Sequence, residues 1–408
     1  MKTTRALAVL GAVGLAASLA ACGGSGFGGE ASQDAKAPLS ILIGSSGDAE
    51  TKAVKSAVAD WSKDSGIDAE VVVASDLNQQ LAQGFSSGKP PDVFYMSADQ
   101  FAGYAANGSL LAYADDLSNK DDFYPALVSS FTFDDKFYCA PKDFSTLQLI
   151  INTDLWEAAG LTDADIPKTW DDLTAVSTKL TSGSTTGLVI GGEYARVGAF
   201  MTQAGGNLMN ADSTEATADT PENLAALEYV KQNLVAGNFK YAADVGAGWG
   251  GEAFGKQLGA MTIEGNWITG AMATDFPDVK YKVVALPEGP KGKGTLAFTN
   301  CWGVAADSAN VDGALDLVEK LTSTDDQLAF SKAFGVMPSI QSAADQWKSD
   351  NPELEPFLLG ADYAKGVPTA QGAADVVTDF NSQVSQLATG DPQAILSSTQ
   401  ANLEALLK

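Results

Sequence analysis

The hydrophobic pattern of this chain opens with one apolar run close to the N-terminus. Lys2 and Arg5 precede an apolar segment, residues 6–21, which closes on Leu-Ala-Ala and is followed directly by Cys22. A positive start with a short apolar stretch is typical of a secretory signal, and the stretch is slightly too short for a transmembrane helix. We therefore predict a signal peptide at 1–21 with Cys22 as a lipid-attachment site; the alternative is a plain signal peptide followed by a chance cysteine.

A second pattern follows a Gly/Ser-rich segment, residues 22–38, which has no periodicity and predicts a flexible tether. From Leu39 onward, short apolar runs at 39–44, 71–75 and 92–96 alternate with amphipathic stretches, and we predict each run to be a buried strand. This rhythm predicts an α/β fold in which helices cover both faces of a mostly parallel sheet. Ligands of such sheets bind at the carboxyl ends of strands. The first candidate ligand-binding residues are therefore Ser45, Ser46, Met96, Ser97 and Asp99.

Local signals continue through the rest of the chain. Residues 131–141 predict a hairpin with Asp134-Asp135 at its turn, and 147–152 predict a further strand. Thr169 is a plausible N-cap, and Pro221 suits the first position of a helix near 221–235. The last third of the chain is predicted to be mostly helical.

Composition narrows the class of protein. A chain of 408 residues exceeds what one hydrophobic core serves, so we expect two lobes. A net charge of −26 argues against a nucleic-acid partner and against direct adhesion to anionic lipid. The absence of histidine removes histidine-dependent triads and histidine metal sites, although carboxylate chemistry stays open. Cys139 and Cys301 form an even pair in an exported chain, and their spacing alone fits a disulfide or two buried thiols equally well.

The candidate chemistry lies in aromatic residues that stand beside glycine and polar residues. Tyr194 follows two glycines, and Trp249, Trp267 and Trp302 lie in GAGWGG, EGNW and NCWG. Each ring could simply fill a core, but four together favour a cleft lined by flat rings, on which sugar C–H groups pack. Arg196, the single arginine after the signal, is either a structural ion-pair partner or a guanidinium that binds the ligand with two hydrogen bonds. Its place beside Tyr194 favours ligand binding.

Four segments in this order resemble the extracellular solute-binding proteins of carbohydrate ABC importers, of the maltose-binding-protein type. They are PPDVFYMSADQFAGYAANGSLL (90–111), CAPKDFSTLQLIINTDLWEAAGL (139–161), GKQLGAMTIEGNW (255–267) and TNCWGVAADSANVDGALDLVEKL (299–321). The resemblance implies a two-lobed, type II periplasmic-binding-protein-like fold joined by crossing hinge segments. It implies an N-lobe of 39–141 plus 303–360 and a C-lobe of 145–299 plus 366–408.

The resemblance also assigns roles to residues. It makes Asp99 an acidic acceptor for sugar hydroxyls, places Asp143 in a crossing segment that faces the cleft, and makes Tyr194 and Trp267 stacking aromatics and Trp302 the cleft floor. Met96 and Gln100 depart from the maltose binder, and no tryptophan follows Pro368, which points to an oligosaccharide other than maltodextrin. The full candidate ligand-binding set is Ser45, Ser46, Met96, Ser97, Asp99, Gln100, Asp143, Tyr194, Arg196, Trp249, Glu264, Asn266, Trp267 and Trp302.

The resemblance further implies neighbouring crossing strands for Cys139 and Cys301, which favours a disulfide between them. The expected function is a lipid-anchored binding component of an ABC importer, at the outer face of the bacterial cytoplasmic membrane. Its expected partners are an oligosaccharide, the permease subunits and, through the lipid on Cys22, the membrane; we expect a monomer without a cofactor or metal. Two alternatives stay open: a glycoside hydrolase using paired carboxylates such as Asp99 and Glu264, and a binder of a polyol, peptide or oxyanion.

Overall fold

A computed structural model describes residues 34–211 and 213–408. The chain forms two α/β lobes, each with its own sheet and its own hydrophobic core, as the sequence predicts. The strands are β1 Leu39–Ile43, β2 Ala69–Val73, β3 Val93–Ser97, β4 Thr132–Phe133, β5 Lys136–Phe137, β6 Ala140–Thr146, β7 Gln148–Asn152, β8 Thr186–Ile190, β9 Phe239–Tyr241, β10 Gly259–Glu264, β11 Tyr281–Val284, β12 Thr295–Val304 and β13 Ala364–Lys365. The helices are α1 Asp48–Ser65, α2 Leu77–Ser86, α3 Ala98–Ala106, α4 Pro125–Ser130, α5 Thr153–Ala158, α6 Trp170–Leu180, α7 Tyr194–Gln203, α8 Pro221–Ala236, α9 Gly250–Gly255, α10 Ile268–Asp275, α11 Val311–Leu321, α12 Thr324–Phe334, α13 Ala344–Asp350, α14 Glu355–Leu359, α15 Ala373–Val384 and α16 Pro392–Leu406.

The first lobe is built on a sheet of order β13-β12-β3-β1-β2, with β6 also beside β12. β1 pairs in parallel with β2 and β3, which confirms the predicted β-α-β-α-β unit, whereas β12 runs antiparallel to β3 and β6. The strand predicted at 71–75 is present as β2, two residues earlier, but the prediction that it is buried is wrong, since Val72 and Val73 are 44% and 40% exposed. β2 is the edge strand, so it has a neighbour on one side only.

The second lobe has a sheet of order β11-β7-β10-β8-β9. β8 is parallel to both β9 and β10, whereas β7 is antiparallel to β10 and β11. The carboxyl ends of β8, β9 and β10 therefore meet at one edge of this sheet, and the site described below grows from that edge.

Two antiparallel crossing strands join the lobes. β12 begins among residues of the second-lobe core, such as Leu296, and ends in the first-lobe core at Trp302 and Val304. β6 pairs with it from Thr146 to Ala140 and continues into β7 of the second lobe. The sulfur atoms of Cys139 and Cys301 are bonded in the structure, and their Cα atoms are 5.7 Å apart.

Several local predictions are confirmed by the backbone. Asp134 and Asp135 adopt φ of 48° and 59° between β4 and β5, the left-handed geometry of a tight hairpin turn. Thr169 caps α6 in a capping box with Asp172, and Thr220 caps the helix that starts at Pro221.

The predicted tether ends earlier than 38. The amide of Asp34 donates to the carbonyl of Ala309 at 2.7 Å, and Asn310 Nδ2 donates to the carbonyl of Ala37 at 2.8 Å. These bonds fix residues 34–37 to the first lobe. The signal peptide and Cys22 lie outside the described residues. Within the described ranges, no helix combines the length and apolarity needed to cross a membrane.

Candidate ligand-binding site

The second-lobe wall of the site stands on the carboxyl ends of three neighbouring parallel strands. Glu193 follows β8 and precedes α7, Tyr241 ends β9, and Glu264 ends β10. Strand order thus brings these polar groups together at one edge of the sheet.

Arg196 links the charged groups of this wall. Its Nη1 lies 3.1 Å from Glu193 Oε1, and its Nη2 donates to Glu264 Oε2. Trp267 Nε1 donates to the same Glu264 oxygen at 3.0 Å, and the guanidinium carbon lies 5.6 Å from the centre of the Trp267 ring. The Glu264 side chain has no exposure, whereas Trp267 is 39% exposed. A buried ion pair therefore holds an exposed aromatic ring.

Polar atoms on this wall remain unpaired within the described structure. Glu264 Oε1, Arg196 Nε, Tyr241 Oη and Thr262 Oγ1 are buried and have no hydrogen-bond partner among the described residues. Buried polar atoms are normally paired, so these four atoms set this wall apart, and they lie beneath its surface rather than on it. Burial raises the pKa of Glu264 and of Glu193, and in both cases Arg196 opposes the rise.

The first-lobe wall contains a second buried ion group. Lys142 Nζ donates to the carboxylate of Asp143 and to Glu50 Oε1, the latter at 3.2 Å. Glu50 Oε2 accepts from both the backbone amide and the hydroxyl of Ser46, each at 2.7 Å. Burial raises the pKa of Asp143, which Lys142 opposes; for Glu50, the effects of Lys142 and Ser46 outweigh burial and hold the pKa below its usual value.

The two walls meet at the loop that carries Trp267. The Asn266 amide donates to Ser145 Oγ of β6 at 2.8 Å, and Asn266 Nδ2 donates to the carbonyl of Gly335, which ends α12, also at 2.8 Å. Phe298, half-buried in β12, packs edge-on against the Trp267 ring at 5.6 Å between centroids. Trp267 therefore lies at the junction of the two lobes.

Three sequence-predicted site residues belong to the cores instead. Met96, Tyr194 and Trp302 are 1–2% exposed. The Tyr194 hydroxyl donates to Asn207, and Trp302 packs edge-on against Tyr95. Because their rings or chains are covered by the protein, we correct these three assignments and leave them out of the site.

The remaining predicted residues divide into two groups. The structure joins Arg196, Glu264 and Trp267 in direct contact, ties Asn266 to the first lobe, and connects Ser46 with Asp143 through Glu50 and Lys142. Outside these contacts lie residues at strand or helix ends: Ser45, Ser97, Asp99, Gln100 and Trp249. Asp99 is exposed and accepts a hydrogen bond from Gln100, and Trp249 is half-buried at the start of α9.

The sequence reasoning missed six residues that the site description uses: Glu50, Lys142, Glu193, Tyr241, Thr262 and Phe298. Two of them had a usable signal, since Lys142 adjoins Asp143 and Glu193 stands three residues before Arg196, which is helical pairing distance. Glu50 had none, because glutamate is almost never fully buried unless it is paired, and its partner Lys142 lies 92 residues away in the sequence.

Two cavities lie away from these residues. One of about 630 Å³ lies between α4 and the chain that follows α7, with Ser129, Gly205 and Thr369 among its lining residues. The other, about 550 Å³, lies in the first lobe beside Trp61 and Glu319. Neither is lined by Trp267, Arg196 or Asp143.

The fold agrees with what comparison with known proteins shows. The family model described as bacterial extracellular solute-binding protein matches residues 56–356. This chain therefore belongs to that family, whose members are binding proteins rather than enzymes. The diacetylchitobiose binding protein DasA of Streptomyces coelicolor is 26% identical over 399 residues, which cover 90% of this chain and 87% of that protein.

Solved structures share the fold at lower identity. The cyclic alpha-maltosyl-1,6-maltose binding protein from Arthrobacter globiformis superposes with a TM-score of 0.80 and 23% identity, covering 91% of this chain and 99% of its own. The maltotriose binding protein of Thermus thermophilus, solved with maltotriose, gives a TM-score of 0.73 and 21% identity over 91% of this chain and all of its own. These likenesses confirm the two-lobed periplasmic-binding-protein fold predicted from the sequence.

Proposed function

We propose that this protein is the substrate-binding component of an ABC importer and that it captures an oligosaccharide between its two lobes. The observation that carries the proposal is Trp267, whose exposed ring is fixed at the lobe junction by buried Glu264 and Arg196. The C–H face of a sugar packs on such a ring, and its hydroxyls suit carboxylate and guanidinium groups, with about 1.5–3 kcal/mol for each hydrogen bond to a charged group.

The ligands in the names of similar proteins support a saccharide of two or more units. Diacetylchitobiose, a cyclic maltosyl-maltose and maltotriose are the ligands of the three proteins described above. A peptide, a polyol and an oxyanion are the competing ligand classes, and the experiment below includes each of them.

Capture requires the two lobes to move. We assign the moving units as 39–141 with 303–360 and 145–299 with 366–408, joined by the crossing strands β6 and β12. Closure around the saccharide would bring the loop at Ser46 toward the Trp267 wall and present a closed shape to the permease. A dissociation constant near micromolar, about −8 kcal/mol, suits capture followed by release.

The test is a thermal-shift screen with maltotriose, maltotetraose and diacetylchitobiose beside sorbitol, a tripeptide and sulfate. A bound saccharide at 100 times its dissociation constant stabilises the folded protein by about 2.7 kcal/mol. Stabilisation by the tripeptide, sorbitol or sulfate, with none by a saccharide, would contradict the proposal.

Trp267→Ala provides the residue-level prediction. Loss of the ring should weaken saccharide binding by about 2–4 kcal/mol, as for a central aromatic anchor, whereas Trp267→Phe should retain most of the affinity. Calorimetric titration measures both variants. Equal affinity of Trp267→Ala and wild type would remove Trp267 from the site.

We also propose that a lipid on Cys22 anchors the protein to the outer face of the cytoplasmic membrane. The proposal rests on the apolar segment that ends in Leu-Ala-Ala-Cys. One acyl chain binds a membrane only marginally and two hold it stably, which a diacylglyceryl cysteine supplies. In bacteria fed labelled palmitate, wild type should carry label and sediment with membranes, and Cys22→Ala should do neither. Label retained by Cys22→Ala would exclude this anchor.

A further inference from the structure

We infer that Lys142 is a positioning residue of the ligand site, which holds Asp143 as an ionised acceptor and ties the loop at Ser46 to the crossing strand β6. The inference rests on the proposed function, because it assigns Asp143 to saccharide binding. It concerns a residue that would not itself contact the saccharide.

Lys142 lies at the centre of a continuous chain of polar contacts. Ser46 donates twice to Glu50 at 2.7 Å, and Lys142 Nζ donates to both Glu50 and Asp143. The chain thus runs from the loop after β1, through α1, to the strand that enters the second lobe.

The surroundings of the Lys142 ammonium come from four elements. Glu50 approaches from α1, Asp143 from β6, and Tyr95 of β3 lies with its ring centre 4.5 Å from Nζ. Phe334, at the end of α12, covers another side with its ring centre at 5.7 Å. Among the groups in these contacts, Lys142 is the one cation facing two carboxylates and one phenol.

The two carboxylates depend on Lys142 to different degrees. Glu50 also accepts hydrogen bonds from Ser46 and, at 3.0 Å, from Tyr95 Oη. The side-chain carboxylate of Asp143 has Lys142 as its bonded donor, while its backbone carbonyl accepts from Thr299. Without the ammonium, two buried carboxylates this close cannot both stay ionised. Asp143 should take the proton, because Glu50 keeps its other donors.

The consequence is a site whose affinity depends on Lys142 through the charge of Asp143. A protonated Asp143 offers a saccharide hydroxyl a weaker acceptor, and its side chain is free to turn. In Lys142→Met the affinity should therefore recover as pH rises and Asp143 ionises again. A purely structural role for Lys142 would lower affinity equally at every pH.

The first arm of the test needs no saccharide. NMR of the side-chain carboxyl ¹³C resonances follows the titration of Asp143 in wild type, Lys142→Met and Lys142→Arg. The Asp143→Asn variant assigns the Asp143 resonance. We expect the Asp143 midpoint to rise by two or more pH units in Lys142→Met and to stay near wild type in Lys142→Arg. Lys320→Met, which removes the ion pair with Asp326 in the same lobe, is the matched control and should leave the midpoint unchanged. An unchanged midpoint in Lys142→Met overturns the inference.

The second arm titrates maltotriose and diacetylchitobiose calorimetrically between pH 6 and pH 9. Lys142→Met should bind at least tenfold more weakly than wild type at pH 6 and approach it at pH 9, while Lys142→Arg follows wild type. A loss of affinity in Lys142→Met that is the same at every pH, or no loss of affinity, overturns the inference. If Lys142→Met does not fold, Lys142→Met with Glu50→Gln leaves Asp143 as the one buried carboxylate of the group, and its midpoint should still rise, because burial without the ammonium disfavours its charged form. Failure of both saccharides to bind wild type counts against the proposed function, and the first arm still decides on Lys142.

Discussion

At the scale of single residues, Trp267 combines two properties that seldom occur together in one side chain. Its ring is 39% exposed, yet its Nε1–H is bonded to a carboxylate that has no exposure, and a guanidinium lies over its face. A ring fixed in this way loses little conformational freedom when a ligand covers it, so more of the contact energy contributes to affinity.

The bond between Cys139 and Cys301 makes a separate prediction about stability. It joins residues 162 apart in sequence and thereby restricts the unfolded chain. Replacing both cysteines with alanine should lower the free energy of unfolding by about 2–5 kcal/mol, measured by guanidinium denaturation. Reduced wild type should unfold like the double variant. If oxidised wild type and the double variant unfold at the same guanidinium midpoint, the disulfide between Cys139 and Cys301 is contradicted.

Two of the wrong assignments, Tyr194 and Trp302, have a common physical cause. Glycines near these aromatic residues were taken as signs of a ligand-binding loop, but they make room for core packing. A Cβ on Gly303 would lie 2.4 Å from the Phe94 ring, and one on Gly192 would lie 3.0 Å from the Tyr241 ring. The sequence could not distinguish these glycines from those around Trp267, because the difference lies in which distant residue packs against them.

At the scale of elements, the carboxyl ends of β8, β9 and β10 gather groups that are far apart in the chain. The alternation of strands and helices predicts such an edge, and the first-lobe unit of β1, β2 and β3 was placed correctly in order and direction. The exposure of β2 and the antiparallel crossing of β12 were not predictable, because they depend on which strand occupies an edge and on pairing across the whole chain.

The ion group at this edge predicts how stability depends on pH. Arg196→Ala leaves Glu264 buried without its cation, which should cost about 3–5 kcal/mol of unfolding free energy at pH 7. A carboxyl group whose pKa is raised by folding binds its proton more tightly in the folded state, so its contribution to stability falls as pH rises through the folded pKa. The deficit of Arg196→Ala should therefore be smaller at pH 5 than at pH 8.

Guanidinium denaturation at the two pH values measures this difference. Lys256→Ala is the matched control, since it breaks an exposed pair with Glu252 on α9 and should leave stability nearly unchanged at either pH. A deficit of Arg196→Ala that is the same at pH 5 and pH 8 would show that Glu264 does not govern it.

At the scale of the whole molecule, charge restricts the kind of saccharide that can enter. The chain carries a net charge of −26, and its two site walls place four acidic groups around two cations, Lys142 and Arg196. We predict that a neutral saccharide that binds will bind at least tenfold more tightly than the same saccharide oxidised to a terminal carboxylate. The difference should narrow as salt screens the repulsion. Tighter binding of the oxidised form, measured by calorimetry, would contradict this selectivity.

The central claim is that a saccharide binds between the lobes against Trp267, and a crystal structure of the complex tests it most directly. Using the saccharide that gives the largest thermal shift, we predict a sugar ring packed on Trp267, with hydroxyls bonded to Glu193 on one wall and to Asp143 on the other. A saccharide bound instead in the cavity beside Ser129 and Gly205, with Trp267 uncovered, would contradict the account.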